Sequence, residues 1–117
     1  MKLTEIVNVL KLSPMSGSDL MDREVTGAYV SDLLSDVLAN AETGNIWITL
    51  QTHLNIIPVA AMKELAAIII VNGRSLEEQT LAKAAEEKVV IAGTDMRAFE
   101  LAGRLYQLGI GVGDEEL

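Results

Sequence analysis

The chain has 117 residues, 17 acidic against 9 basic, a net charge of −8 and no cysteine. Disulfides and thiolate metal sites are therefore excluded. Its lysines and arginines are scattered rather than clustered, so binding to nucleic-acid phosphates is not expected.

Residues 3–10 place Leu3, Ile6, Val7 and Leu10 on one face of a short amphipathic helix, and the Ser13-to-Ser18 run of Ser, Pro, Met and Gly breaks it. Residues 25–30 form a candidate strand with Gly27 inside it. Ser31-Asp32 offers an N-cap for a helix striped by Leu33, Leu34, Val37, Leu38 and Ala41. Residues 46–50 carry the β-branched and aromatic content that strands favour. Asn55 is a candidate cap for a helix to about Leu65, with Pro58 tolerated in its first turn. Residues 66–71 are a continuous apolar run, expected as a strand buried on both faces. Ser75 and Glu78 have capping-box spacing ahead of a helix to about Glu87. A strand over 89–92 follows, then a helix capped by Thr94 or Asp95, with Met96, Phe99, Ala102, Leu105 and Tyr106 expected inward and Gly109 at its end.

Alternation of strands and helices with short connections predicts an α/β fold in three layers. A mainly parallel sheet of about four strands should carry helices on both faces. No linker divides the chain, so residues 1–117 read as one domain, with 110–117 as a flexible acidic tail. The mean hydropathy of +0.30 is high for a small acidic monomer and points to a homodimer. Glu5 and Asn8 interrupt the first apolar run, and the stretch over 65–71 is too short to cross a bilayer, so the expected location is cytoplasmic, with no membrane partner.

In open parallel sheets, ligands sit outside the carboxyl ends of the strands, near helix N-termini. The polar residues expected there are Ser31, then Gln51, Thr52 and His53, then Asn72, Gly73 and Arg74, and finally Thr94. Arg74 suits an anionic group at that rim. His53 is the single histidine. With no Cys beside it, it cannot belong to a His-rich zinc site, and no nucleophile or orienting carboxylate is identifiable by spacing. A hydrogen-bonded rim histidine is the preferred reading. No P-loop is present, and the glycines at 109, 111 and 113 follow a helix rather than open one, so they do not form a dinucleotide fingerprint. No cofactor, no metal and no catalytic residue are expected.

The run Asp22-Arg23-Glu24-Val25-Thr26-Gly27, continuing to Ala41, resembles the signature of the DRTGG domain family. The likeness extends through residues 44–56, through Ile70-Val71-Asn72-Gly73 and through residues 98–106. Ala28 stands where the second glycine of the name would fall, and Glu24 where the name has Thr. The family motif here is thus Asp22, Arg23, Val25, Thr26 and Gly27. The resemblance implies a fold akin to the N-terminal domain of HPr kinase and of Mur ligases. It also implies a regulatory, dimer-forming part of the kind joined to phosphotransacetylases and found in some family II pyrophosphatases, where the region is associated with adenine-nucleotide control.

The expected function is therefore a non-catalytic regulatory module, homodimeric, with a small anionic or adenine-nucleotide ligand at the strand ends. The alternative is a purely structural dimerisation domain, or one that docks a protein partner. A small enzyme using His53 ranks last. The motif itself is expected at the end of the sheet opposite the ligand rim.

Overall fold

The computed structural model describes residues 1–111. In chain order it runs α1 (Leu3–Val9), β1 (Ser13–Ser16), β2 (Gly27–Val30), α2 (Leu34–Asn40), β3 (Asn45–Thr49), α3 (Ile56–Lys63), β4 (Ala67–Ile70), α4 (Glu78–Glu87), β5 (Ile91–Gly93) and α5 (Ala98–Gln107). The strands form one sheet in the order β1-β5-β4-β3-β2. All neighbours are parallel except β1, which runs antiparallel to β5.

The consecutive parallel strands lie side by side, so right-handed crossovers carry α2, α3 and α4 onto one face. There Val37, Ile56, Ile57 and Ala84 pack against Trp47, Ile68, Ile70 and Ile91. On the other face Leu3 and Ile6 of α1 and Leu101 and Leu105 of α5 cover Ile46, Ile48, Ile69 and Ala92. Strand alternation divides these sets, since successive side chains along a strand point to opposite faces. Trp47 thus belongs to one core and its neighbours Ile46 and Ile48 to the other.

The three-layer α/β architecture matches the expected one, with a fifth strand added. The Ser13-to-Ser18 run, read as a breaker, contains β1. Its Ser-Pro-Met-Ser sequence lacks strand propensity, but it lies at the sheet edge, where a residue without an N–H is tolerated. Pro14 pairs with Ala92, and the register slips between Pro14 and Ser16.

The last helix faces the sheet differently from expectation. Leu101 and Leu105 are its buried residues, whereas Phe99 is 92% exposed and Tyr106 54% exposed. Ala98, Leu101, Ala102, Leu105 and Leu108 follow helical spacing and face the core. The larger aromatic side chains fall outside that stripe.

The expected side-chain caps are absent at the starts of α2, α3, α4 and α5, the Ser75–Glu78 capping box among them. Ser31 Oγ, His53 Nδ1 and Thr94 Oγ1 instead each accept the N–H of the residue two positions on, at 3.1, 3.2 and 3.1 Å. They fold the approach to each helix rather than its first turn. Of the expected tail, Ile110 is buried in the α1–α5 core, and residues 112–117 lie outside the described residues. Among the described residues, no helix is long and apolar enough to cross a membrane.

Candidate functional site

The Asp22-to-Gly27 run sits at the amino ends of the strands. Arg23 Nη1 donates to Ala66 O, just ahead of β4, at 3.4 Å. Thr26 Oγ1 donates to Thr43 O at 2.8 Å and accepts from Asn45 Nδ2 at 3.1 Å. Gly44 has φ +83°, and a Cβ there would lie 2.7 Å from Thr26 Cγ2. Only glycine fits that turn at this separation. Val25 is buried in the α1–α5 core, and Asp22 pairs with Lys2 at 3.3 Å. These contacts tie the first loop to the starts of β3 and β4.

At the carboxyl ends of β2 and β3, polar groups saturate one another. Asp32 Oδ1 accepts from Thr49 Oγ1 at 2.7 Å and from Leu50 N–H at 2.8 Å. Gln51 Nε2 donates to Asp32 O at 2.9 Å, and Trp47 Nε1 to Ser31 O at 2.7 Å. The fully buried Thr80 of α4 donates its hydroxyl to Thr52 O at 2.8 Å. Beside them the Tyr29 hydroxyl lies 2.9 Å from each oxygen of Asp36. Hydrogen bonding from Ser31, then Tyr29 and Asn40, holds the Asp36 carboxyl below its ordinary value. The bond to Asp36 pushes the Tyr29 phenol upward.

The carboxyl ends of β4 and β5 are arranged differently. After β4 the chain turns to α4 on one face; after β5 it turns to α5 on the other. Loops that diverge to opposite faces leave a crevice between adjacent strands, the usual place for a ligand in a parallel sheet. Here that crevice is a cleft of about 430 Å³, within the span of roughly 300–1,000 Å³ usual for small-molecule sites.

Gly73 lines it from the turn at Asn72 and Gly73, with φ of +64° and +65°. Their N–H groups donate to Met96 O and Thr94 O, both at 2.9 Å, which joins the two loops. Gly73 suits this φ, and a Cβ there would lie 2.7 Å from Asp95 Oδ1 and displace that carboxylate. Lys11, Arg74 and Arg104 line the walls, with Asp95 and Glu100 as counter-charges and the Ser13, Ser75 and Thr94 side chains between them. Three cations against two carboxylates give the cleft a local charge of +1 (3 − 2), in a chain whose net charge is −8. Arg74 Nη1 donates to Leu50 O at 3.1 Å, which leaves the other guanidinium donors for a ligand. Arg104 is held by Glu100 at 3.2 Å.

Of the residues expected at a ligand rim, the structure brings Gly73, Arg74 and Thr94 into the cleft. Ser31, Gln51 and Thr52 stand at the neighbouring strand ends, within the network just described, and His53 follows them, its Nδ1 accepting the Asn55 N–H. Asn72 supplies the turn. Sequence reasoning missed Lys11, Ser13 and Arg104. Lys11 carried one local signal, a basic residue ending a helix, but its left-handed φ of +55° and its place beside β5 depend on the antiparallel β1. Among the described residues, no group of three or more His, Cys, Asp or Glu side chains is placed to hold a metal ion.

No protein-family model matches the chain, and no curated protein matches it. Among solved structures it is similar to the CBS and DRTGG domains of the regulatory region of a Clostridium perfringens pyrophosphatase, crystallised with its activator, diadenosine tetraphosphate. The TM-score is 0.66 at 15% sequence identity, over 88% of this chain and 44% of that one. The chain thus spans less than half of that regulatory region. At this identity the likeness shows the fold, and it agrees with the DRTGG-like domain expected from residues 22–41.

Proposed function

We propose that the chain is a non-catalytic regulatory module of the cytoplasm, homodimeric, that senses a nucleotide-like or other small anion in the cleft between the carboxyl ends of β4 and β5. The observation that carries this reading is the gathering of Lys11, Arg74 and Arg104 around the topological switch of an otherwise acidic molecule. A concave site lined by cations and hydroxyls recognises phosphate by charge-assisted hydrogen bonds. Gly73, Arg74 and Thr94 are the proposed contacts from the expected set. Ser31, Gln51 and Asn72 tie neighbouring strand ends and loops together around them, and Thr52 and His53 complete the polar rim. The motif residues Asp22, Arg23, Val25, Thr26 and Gly27 are assigned a structural task at the far end.

The activator bound to the similar regulatory region is a dinucleotide polyphosphate, which supports testing that class of anion first. The exposed aromatic residues of α5 favour the second reading, a domain that works through self-association alone. Calorimetric titration with inorganic triphosphate, ATP and diadenosine tetraphosphate separates the two. Binding of at least one, weakened by roughly tenfold to a hundredfold in Arg74→Ala or Lys11→Ala, supports the sensing module; that is the loss of one charged hydrogen bond, about 1.5–3 kcal/mol. Absence of heat with all three removes the ligand from the reading and leaves the dimer.

A further inference from the structure

Two features of the cleft between β4 and β5 are more than a phosphate requires. The first is a free carboxylate. Glu100 is occupied by Arg104 at 3.2 Å, but the Asp95 carboxylate has no hydrogen-bond or ion-pair partner among the described residues. It lies against Gly73, with Oδ1 2.7 Å from where a Cβ on that glycine would stand. An ionised carboxylate only accepts hydrogen bonds, and a phosphate chain presents acceptors and negative charge, so the two repel. Asp95 therefore disfavours a bare anion and favours one that also carries hydroxyl donors.

The second feature is apolar. Leu10, Met15 and Met96 line the same cleft and are half-buried. They come from both layers: Met15 packs with the core beneath α2, α3 and α4, and Leu10 and Met96 pack with the core beneath α1 and α5. The Met15 methyl lies over Gly93, in the place that a Cβ there would take, so an apolar side chain covers the end of β5. Methionine adapts its shape to a neighbouring ring and makes favourable sulfur–aromatic contacts.

From these features we infer that the anion taken by this cleft is a nucleoside phosphate, with its phosphates on Lys11 and Arg74, its sugar hydroxyls on Asp95 and its base on Met15 and Met96. Lys11, like Asp95, has no side-chain partner among the described residues. Arg74 keeps guanidinium donors beyond its bond to Leu50 O, so both cations are available to phosphate. The same division, with separate groups for phosphate and a carboxylate for ribose, recurs at the switch points of parallel sheets.

The inference rests on the anion site of the proposed function and names its ligand class. Calorimetric titration of the full chain with ATP, 2′,3′-dideoxy-ATP and inorganic triphosphate, without divalent cations, tests it. ATP should bind at least about tenfold tighter than triphosphate, with dideoxy-ATP between them, as the loss of hydrogen bonds to a charged group predicts. Asp95→Ala should bring ATP and dideoxy-ATP to equal affinity and should tighten triphosphate, a gain that damage to the fold would not produce. Met15→Ala should weaken both nucleotides and leave triphosphate unchanged. Triphosphate bound as tightly as ATP overturns the nucleoside and leaves the anion site standing. A preference for ATP that is unchanged in both variants overturns the placement of sugar and base. No heat with any of the three overturns this inference together with the anion site.

Discussion

Asp32 was expected to cap a helix, and its carboxylate instead joins β2 to β3 through Thr49 and Leu50. The residue type was legible, because an acid after a strand seeks N–H and O–H donors. The partner was not, because it lies 17 positions on, across the sheet. Ser31, His53 and Thr94 show the same limit: each was recognised as a turn-forming side chain, but the choice between a helix cap and a two-residue turn depends on backbone angles that composition does not specify. The Tyr29–Asp36 pair is the feature of this region that pH should expose. Asp36 titrates below its ordinary value, held there by Ser31, Tyr29 and Asn40, so its contribution is complete above the usual carboxylate pKa, about 4, and is lost as pH falls through the lowered value. Tyr29 titrates above its ordinary value, mainly through the bond to Asp36, so its contribution is complete below about pH 10 and is lost as pH rises through the raised value. The difference in thermal midpoint between wild type and Tyr29→Phe should therefore be flat at intermediate pH and shrink at both extremes. A difference that does not change with pH would dissociate the pair from stability.

The elements themselves were largely readable, because β3 and β4 are short apolar runs bounded by polar turns and the helices between them carry one apolar side each. Two elements were misread for physical reasons. β1 owes its existence to pairing with β5, which rescues a sequence of poor strand propensity at the edge. In α5 the eye follows the aromatic residues, whereas the sheet selects the side on which Leu101 and Leu105 alternate with Ala98 and Ala102, small enough for close packing. Leu101→Ala should cost about 2–5 kcal/mol in urea unfolding, as a buried leucine truncated to a cavity. Phe99→Ala, measured at a concentration where the chain is monomeric, should change stability by roughly 0.5 kcal/mol or less, as a surface substitution. Equal losses at the two positions would return Phe99 to the core and contradict the orientation of the helix.

Across the whole molecule, the two ends of the sheet divide their tasks. The amino end holds the Asp22-to-Gly27 run, bound to Ala66, Thr43 and Asn45 by contacts that serve the fold. The carboxyl end holds the cleft, and there the sequence was legible only for residues that follow a parallel strand directly, namely Gly73, Arg74 and Thr94. Lys11 and Arg104 reach the same cleft from the end of α1 and the middle of α5. Their positions follow from the antiparallel edge strand and from the reversal of face after β5, and neither is visible in local spacing. The proposed anion site is this switch between β4 and β5 rather than the rim of β2 and β3. Backbone amide chemical shifts recorded during titration with diadenosine tetraphosphate test it most directly. Saturable shifts concentrated at Lys11, at Gly73 through Ser75 and at Thr94 through Met96 are the expected result. Shifts concentrated at Ser31 and at Gln51 through His53, or at the Asp22-to-Gly27 run, would contradict it.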